Sequence, residues 1–385
     1  MEIPAGMDDA LSSLRTTTKG DRILSRAPGR VEVLGNHTDY NGGMVLAATI
    51  DNFVWSLGVP SNDVRLYSMD YDQSIVFNKT DIQRMNSLSW ETYARGIYWA
   101  MRRRKRNVKG VTAVIYGNVP QESGLSSSAA LEVSLVNLIL EASGLKIPQK
   151  AKAMLAYEAE RLFCGVSCGI MDQFTSQLGK PNTLLSINCG NMVTRDVDFS
   201  PNLRLVTIDS KVSRPAKAAL NERRKECQVA LKQLRAAGWD IGKISDINPA
   251  YLDQISDTLE PLLEKRVRHV VNENIRVKEG ITALRSDDYK RFGQLMYESH
   301  QSSKNLYEVS HPRLDLLVEI ASEKKGVIGS RLTGAGLGGS VLVIVDEQKA
   351  AMVADDILQD YQKESGIESK ARISSIPGGV LVERV

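Results

Sequence analysis

The spacing of apolar and polar residues predicts strands near the start of the chain and helices further along it. Residues 22–35 are predicted to be extended, and residues 42–59, rich in β-branched and aromatic side chains, continue this pattern after two glycines. Residues 90–106 have helical apolar spacing and end in five consecutive cations, as is common in a last helical turn. The chain is therefore predicted to begin with strands, and a helix follows them.

A predicted strand, a glycine-serine loop and a helix come next, in that order. Residues 110–120 form the strand and a closing turn, and residues 129–144 carry leucines at helical spacing until a glycine ends the helix. Residues 152–165 predict a second helix, and residues 169–188 change from a helical pattern to that of a strand. This order puts the serines of residues 121–128 at the N-terminus of a helix.

The second half of the chain is predicted to be more helical than the first. A short strand at residues 204–210 opens it, and a glycine-rich turn at residues 329–339 is followed by a buried strand. Three long helical patterns cover residues 216–236, 259–284 and 289–302. The change in composition near residue 195 predicts two domains, residues 1–195 and residues 196–385.

Length and composition agree with a soluble protein of two lobes. The chain has 385 residues, and about 150 residues per domain favours two domains. Its 49 Lys and Arg against 46 Asp and Glu leave a net charge of +3, which is too small to indicate a nucleic-acid or membrane partner. Four cysteines do not make a disulfide framework, and the start of the chain lacks the pattern of a signal peptide, so a cytoplasmic location is expected.

The segment GLSSSAA, residues 124–130, is a candidate phosphate site. A helix that begins at its serines directs unpaired backbone N–H groups and the positive end of its dipole outward, and Gly124 allows close approach of a ligand. The hydroxyls of Ser126, Ser127 and Ser128 suit phosphate oxygens or Mg²⁺. The alternative is ordinary N-capping, because serine is a preferred cap.

Two further segments combine glycines with polar side chains. The first, residues 29–43, either builds a turn or forms a hydrogen-bonding wall for a polyol. Its polar side chains are Arg30, Asn36, His37, Asp39, Tyr40 and Asn41. The second, RLTGAGLGGS at residues 331–340, holds Gly334, Gly336, Gly338 and Gly339 just before a strand. Alone it is a weak signal, because glycine-rich turns are common.

Together the three segments resemble the GHMP family of small-molecule kinases, and within it the galactokinases. GRVEVLGNHTDYNGG is similar to the galactokinase signature, GLSSSAALEV to the phosphate loop of the family, and RLTGAGLGGS to its third motif. The resemblance continues through residues 165–174, 266–277 and 298–315. It implies an α/β (α+β) fold of two lobes, an N-terminal mixed-sheet lobe and a C-terminal ferredoxin-like lobe, with the active site between them.

The resemblance also implies an activity and a set of site residues. The implied reaction transfers the γ-phosphoryl group of ATP to the anomeric hydroxyl of galactose or a close relative, with Asp172 and Arg30 as the catalytic pair. Asp172 either removes the hydroxyl proton or mainly orients the hydroxyl. The implied sugar-binding residues are Arg30, Asn36, His37, Asp39 and Asp172. The implied ATP-binding residues are Gly124, Leu125, Ser126, Ser127, Ser128, Ala129, Gly334, Gly336, Gly338 and Gly339, and Glu160 with Ser127 or Ser128 is expected to bind Mg²⁺.

Two positions depart from the galactokinase pattern. Asn36 stands where galactokinases usually have a Glu that accepts a hydrogen bond from the hydroxyl on carbon 6, and Leu220 stands where a Tyr is usual. A neutral Asn removes repulsion toward a substrate carboxylate and keeps a donor for it, so galacturonate or L-arabinose is an alternative substrate. Losing one neutral hydrogen bond costs about 0.5–1.5 kcal/mol, so galactose is still expected to react.

A second alternative is a sugar sensor that binds ATP and sugar without turnover, as some members of the galactokinase family do. The phosphate loop keeps its small residues from Ser126 to Ala130, and Arg30, Glu160 and Asp172 are present. These residues favour an enzyme. The expected partners are therefore a small sugar and ATP, with no nucleic acid and no membrane.

Overall fold

The part of the chain that the structure describes folds around two β-sheets that pack with ten α-helices. The computed structural model describes residues 1–14, 21–85, 87–120, 123–212 and 216–385, with backbone alone for residues 216–219. The strands are β1 Ile23–Leu34, β2 Met44–Ser61, β3 Val64–Ser68, β4 Gln73–Phe77, β5 Gly110–Gly117, β6 Thr183–Asn188, β7 Val193–Asp198, β8 Leu203–Asp209, β9 Val327–Thr333, β10 Ser340–Asp346, β11 Ala371–Ser374 and β12 Leu381–Arg384. The helices described are α1 Met7–Leu14, α2 Trp90–Arg103, α3 Ser127–Ala142, α4 Gln149–Glu158, α5 Met171–Leu178, α6 Ala216–Ala236, α7 Pro261–Arg285, α8 Tyr289–Asn305, α9 Pro312–Ser322 and α10 Ala350–Ser365.

The first sheet is mixed and contains eight of the described strands. Its main order is β12-β1-β2-β5-β3-β4, with β6 beside β2 and β7 beside β6. Only the β3–β5 pair is parallel among the described ladders of this sheet. The mixed N-terminal sheet that the resemblance implied is therefore confirmed.

The second sheet has the ferredoxin-like arrangement. Its order is β11-β8-β10-β9, and all of its ladders are antiparallel. α9 precedes β9, and α10 joins β10 to β11, so the elements repeat as strand, helix, strand, strand, helix, strand. Leu317, Val343 and Ile357 pack in the core between this sheet and its helices. The structure confirms the expected ferredoxin-like lobe.

The last strand of the chain belongs to the first sheet, so the two sheets do not correspond simply to the two halves of the chain. β7 and β8, on either side of residue 200, belong to different sheets, but β12 at the end of the chain pairs with β1. The division into residues 1–195 and 196–385 stays a prediction, and β12 crosses it. α7 packs against β1 and β2, so the helices of the second half also support the first sheet.

Most of the predicted elements are present, with differences at their ends. The helix predicted at residues 152–165 is divided into α4 and a π-helical turn, Ala159–Phe163. An apolar pattern does not reveal such a turn, because one extra residue per turn barely changes the spacing. The predicted glycine-rich turn at residues 329–339 begins only at Gly334, because the residues before it pair in β9.

α3 is the central helix of the first half and positions the candidate site. It packs against β1 and β2 on one side and against α2, α4 and α5 on others, so nearly all of its residues are buried. Its N-terminus therefore has a fixed place relative to β1. Among the helices within the described ranges, none has both the length and the apolar character needed to cross a bilayer.

Candidate active site

The three motifs meet around one cavity of about 300 Å³. Its walls come from the end of β1 and the loop after it, from the loop before α3, from the segment between the π-helical turn and α5, and from the turn after β9. These pieces come from both halves of the chain. The fold therefore brings together segments that the sequence separates by up to three hundred residues.

Arg30 and Asp172 form a two-point ion pair on the wall of this cavity. The Nε atom of Arg30 donates to Oδ1 of Asp172 at 2.8 Å, and its Nη2 donates to Oδ2 at 2.6 Å. Nη1 donates to the carbonyl of Gly124 at 2.6 Å. Arg30 is only 5% exposed, so water competes little for these bonds. One guanidinium thus fixes the carboxylate of α5 relative to the serine loop.

Ser126 joins this pair instead of capping the helix. Its φ of +61° lies in the left-handed region, where a residue with a side chain is strained. Its side chain makes no cap hydrogen bond, and its hydroxyl donates to Oδ2 of Asp172. The capping alternative is therefore wrong for Ser126. The first backbone bond of α3 runs from Ala130 N–H to the Ser126 carbonyl, so the preceding N–H groups have no partner within the helix.

Buried carboxylates stand behind the other serines. The hydroxyl of Ser128 donates to Oε1 of Glu160 at 3.1 Å, and the amide of Gln173 donates to the other oxygen of Glu160 at 2.6 Å. The same amide donates to Oε2 of Glu132 at 3.1 Å. The other oxygen of Glu132, Oε1, has no hydrogen-bond partner among the described residues. Burial first, and then the charge of Asp172, raise the pKa of Glu160, and burial with the charge of Glu160 raises that of Glu132.

This carboxylate group suits a cation that keeps other ligands. Within the described ranges, no group of three His, Cys, Asp or Glu side chains is arranged to hold a metal ion. Mg²⁺ typically takes one or two protein oxygens and completes its shell with water and substrate phosphates. A hydroxyl and a buried carboxylate beside an open helix N-terminus fit that requirement, and a cation would offset the mutual repulsion of the carboxylates.

Asp39 and His37 face the cavity from the loop after β1. Burial, followed by the charge of Asp172, raises the pKa of Asp39 to about 6. Gly169 makes room for this carboxylate, because a Cβ atom there would lie 1.8 Å from its Oδ2. Burial lowers the pKa of His37 to about 3, so its ring is neutral. Its Nδ1 is 2.8 Å from the hydroxyl of Tyr40. Its Nε2 makes no hydrogen bond of regular geometry with a described residue, although the backbone of Ala335 lies close to the ring.

Asn36 lines the cavity, but its amide is already engaged. Its Nδ2 donates to Oε2 of Glu32 at 2.8 Å and to the carbonyl of Gly334 at 2.9 Å, and its Oδ1 accepts from Ser303 at 2.9 Å. An amide has two N–H donors, and both are used. The expectation that Asn36 offers a donor to a substrate carboxylate is therefore wrong.

Residues of α7 hold this loop from the second half of the chain. Oε1 of Glu273 accepts from the backbone N–H groups of Gly35 and Asn36 at 3.0 and 3.2 Å. Nε2 of His269 lies 2.9 Å from the Asn36 carbonyl. Neither side chain was predicted as a site residue, although both lie in residues 266–277, a segment that carried part of the resemblance. The sequence signal that could have identified them is a polar residue at a position where the helical pattern of α7 is otherwise apolar.

The glycines of the third motif have different surroundings. All four have positive φ values, between +73° and +144°. Gly334 lines the cavity and lies against Gly124, where a Cβ would come within 3.1 Å of the carbonyl. Gly336 and Gly338 face the carbonyls of Val309 and Val212 and do not line the cavity. Their predicted contact with ATP stays a prediction.

The remaining predicted residues are also placed. The Leu125 carbonyl accepts from the backbone N–H of Arg30 at 3.1 Å, and Ala129 is buried within α3. Gly339 lies near the carbonyl of Ser123, and Leu220 lines the cavity at the start of α6. The predicted residues therefore include both residues that line the cavity, such as Gly334 and Leu125, and residues that do not, such as Gly336 and Gly338.

A second cavity of about 380 Å³ adjoins the serine loop on its other side. It shares Ser127 and Ser128 with the first cavity, and its other walls are mainly apolar or aromatic. They include Val54, Leu88, Trp90, Tyr93, Val119 and Leu131. No motif predicted it, because its walls come from scattered positions on β2, α2 and α3.

Three family profiles match the chain. The GHMP kinases N terminal domain matches residues 92–180, and the GHMP kinases C terminal domain matches residues 281–363. The galactokinase galactose-binding signature matches residues 15–58. Two of these ranges contain Arg30 and Asp172, so the ion pair joins the sugar signature to the kinase domain.

Known proteins are similar over most of the chain. A galactokinase from Roseiflexus sp. (strain RS-1) is 37% identical over 361 residues, which cover 93% of this chain and 92% of that protein. The crystal structure of Lactococcus lactis galactokinase complexed with galactose has a TM-score of 0.92 at 28% identity and covers 98% of both chains. Methanococcus jannaschii mevalonate kinase, 18% identical with a TM-score of 0.61 over 93% of this chain and 99% of its own, shares the fold. The chain belongs to the galactokinases of the GHMP kinase family.

Proposed function

We propose that this protein is an ATP-dependent sugar 1-kinase that transfers the γ-phosphoryl group of ATP to the anomeric hydroxyl of galactose or a close relative. One observation carries the proposal. The carboxylate of Asp172, held by Arg30 and Ser126, lies beside the open N-terminus of α3. Backbone N–H groups at such a terminus bind phosphate, so an acceptor hydroxyl at Asp172 is close to the group that it attacks.

The step needs little covalent chemistry from the protein. The anomeric oxygen forms a bond to the γ-phosphorus, the bond from that phosphorus to the bridging oxygen of ADP breaks, and the hydroxyl proton passes to Asp172. Arg30 faces the same place and stabilises the negative charge of the transferring group. Asp172 either removes the proton early or orients the hydroxyl until late in the step.

Glu160 and Ser128, with Ser127 beside them, are the residues that we expect to hold Mg²⁺. The bound ion supplies charge neutralisation for the β- and γ-phosphates. Support comes from the 3.1 Å bond between the Ser128 hydroxyl and Glu160, and from the buried neighbouring carboxylate of Glu132. Gln173 bridges the two carboxylates and keeps Glu160 oriented toward the serines.

The second cavity is the proposed site of the nucleotide base. It adjoins Ser127 and Ser128, so a phosphate chain at the helix N-terminus leads into it. Trp90 and Tyr93 supply aromatic surface there, and Leu131 closes the apolar wall. Substitution of Leu131 by a bulkier residue is expected to raise the KM for ATP and leave the KM for sugar unchanged.

The sugar is proposed to bind between Asp172 and the loop after β1. His37 offers a neutral ring nitrogen and Asp39 offers carboxylate oxygens to hydroxyl groups. The match to a galactose-binding signature and the similarity to a galactokinase complexed with galactose support galactose as the sugar. A cytoplasmic setting is part of the proposal, and the four free cysteines are consistent with it.

A sugar panel tests the proposal. ADP release is measured with galactose, L-arabinose, galacturonate and other sugars, and NMR of the product locates the phosphate. The expected result is phosphate on the anomeric oxygen of galactose or a close relative. Release of no ADP above background with every sugar contradicts the proposal and favours the sensor, whereas phosphate on another oxygen rejects the assignment of the acceptor.

A further inference from the structure

Glu32 is a buried carboxylate on the wall of the sugar cavity. It lies two residues after Arg30 on β1, and both side chains line the same cavity. Glu32 is only 3% exposed to solvent. The hydroxyl of Thr333, in β9, accepts from the Glu32 N–H and donates to its carbonyl, both at 3.0 Å. The backbone at this position is therefore fixed from both halves of the chain.

Asn36 orients this carboxylate and has no N–H donor left for a ligand. One amide hydrogen bonds to Oε2 of Glu32, and the other bonds to the Gly334 carbonyl. Ser303 donates to Oδ1, which fixes the direction of the amide. The hydrogen bond from Asn36 uses Oε2 of Glu32, so Oε1 keeps its capacity to accept from a molecule in the cavity.

The charges around Glu32 leave that capacity available. Nη2 of Arg331 is 3.9 Å from Oε2, which is too far for a hydrogen bond. Burial, helped by the charge of Asp39, raises the pKa of Glu32 to about 7, against the attraction of Arg331 and the hydrogen bond from Asn36. A carboxylate in this state gains from any additional hydrogen-bond donor, such as a sugar hydroxyl.

We infer that Glu32 determines sugar specificity by accepting a hydrogen bond from a hydroxyl other than the anomeric one, while Asn36 only positions it. The inference rests on the proposed function for the identity of the ligand. Asn36 was expected to favour a substrate carboxylate. Its amide instead donates to the Glu32 carboxylate at 2.8 Å, and a second carboxylate there would be repelled. A uronate would bring a further carboxylate into a cavity that Glu32, Asp39 and Asp172 already line, so neutral sugars are favoured.

Calorimetric titration of galactose without ATP tests the inference independently of catalysis. At pH 8, where the Glu32 carboxylate is ionised, Glu32→Gln is expected to raise the Kd for galactose at least tenfold, because a hydrogen bond to a charged group is lost. The control is Glu158→Gln, a mostly buried carboxylate that pairs with Arg104 and does not line the cavity. Its Kd is expected to equal that of the native protein. A native Kd in Glu32→Gln overturns the inference.

An exchange variant guards against a simple loss of folding. Glu32→Asn with Asn36→Glu interchanges the amide and the carboxylate, so the hydrogen bond between them is preserved while the carboxylate moves to the position usual in galactokinases. We expect the double variant to bind galactose within threefold of the native protein. Binding as weak as in Glu32→Gln, with an unchanged melting temperature, also supports the inference, because it shows that the carboxylate acts only from position 32.

A comparison of two substrates with the native enzyme completes the test. Its kcat/KM for galactose is expected to exceed that for galacturonate at least a hundredfold, and Glu32→Gln is expected to narrow this ratio. A native preference for galacturonate overturns the inference and leaves the kinase function intact. If no sugar is phosphorylated but galactose binds in a manner that depends on Glu32, the proposed function fails and the inference stands.

Discussion

Glu273 of α7 accepts a hydrogen bond at 3.0 Å from the backbone N–H of Gly35, the first residue of the loop after β1. The same carboxylate accepts from Ser299 and pairs with Arg276 at 2.7 Å. Glu273 is fully buried. A helix of the second half therefore sets the position of a loop that leaves β1, and we expect both stability and sugar binding to depend on it.

Glu273→Gln is predicted to destabilise the protein in a pH-dependent way. Burial opposes ionisation, but Arg276, Arg331 and the hydrogen bond from Ser299 act together with His269 to lower the pKa of Glu273 well below its usual value. A lowered folded pKa stabilises the native state above about pH 4.5, and this contribution is lost as the pH falls further. Urea unfolding at pH 7 should show a loss of about 3 kcal/mol in the variant, because a buried charge loses its partner.

The comparison at low pH separates this explanation from a packing defect. At pH 3.5 the native protein has lost part of the same contribution, so the difference between the two proteins should shrink. Equal destabilisation at pH 7 and pH 3.5 would show that the lost charge of Glu273 is not the cause of the destabilisation. The KM for sugar should rise in the variant, while the KM for ATP stays near the native value.

Asp172→Asn is predicted to lower kcat by at least a thousandfold with little change in ATP affinity. The substitution keeps the size of the side chain but removes the charge that pairs with Arg30 and accepts from Ser126. Because it alters the acceptor end and not the helix N-terminus, nucleotide binding should persist. Steady-state kinetics and a nucleotide titration check the two statements, and near-native kcat would remove Asp172 from the reaction.

The pair Arg30 and Asp172 could be predicted only from the resemblance to galactokinases, although Arg30 also lies in the polar, glycine-containing segment of residues 29–43. Glu32 could not, since a glutamate between valines in a strand has the pattern of a solvent-facing residue. Its backbone N–H donates to the hydroxyl of Thr333, which is 301 residues away in the sequence. Contacts of that separation leave no periodic trace, and the engagement of Asn36 was missed for the same reason.

The fold was predictable to a similar extent. Strands, helices and the order of strand, serine loop and helix follow from apolar spacing, and the ferredoxin-like lobe came only from the resemblance. The pairing of β12 with β1 joins the two ends of the chain, and no local pattern encodes it. The π-helical turn that carries Glu160 was also invisible, because its side chains keep a nearly helical spacing.

Glu160→Gln is predicted to raise the magnesium concentration needed for half-maximal activity at least tenfold. The substitution keeps a group that can accept from Ser128 but removes the charge that would attract the cation. Glu158→Gln is the matched control, because Glu158 lies two residues earlier and pairs with Arg104 instead. Magnesium titrations at fixed ATP compare the two, and identical midpoints would exclude Glu160 as a ligand.

Gly169→Ala is predicted to raise the KM for sugar at least tenfold and to leave that for ATP unchanged. An added Cβ would lie 1.8 Å from Oδ2 and 2.4 Å from Cγ of Asp39, so the carboxylate must move away from its position. Gly242→Ala serves as the control, because its Cβ would meet only the flexible Asp246 carboxylate at 3.1 Å. Equal KM values for sugar in both variants would show that the position of Asp39 is unimportant.

Glu32→Gln is predicted to change how the stability of the free protein depends on pH. The pKa of Glu32 is raised from 4.5 to about 7 by burial, so the folded state holds a proton that the unfolded state has released between these values. Stability therefore falls as the pH rises through this window, by about 3 kcal/mol for a shift of this size. Urea unfolding at pH 5 and pH 8 should show a smaller difference in the variant than in the native protein. Parallel pH profiles for the two proteins would mean that Glu32 ionises in the folded state as easily as in water, and that burial does not raise its pKa.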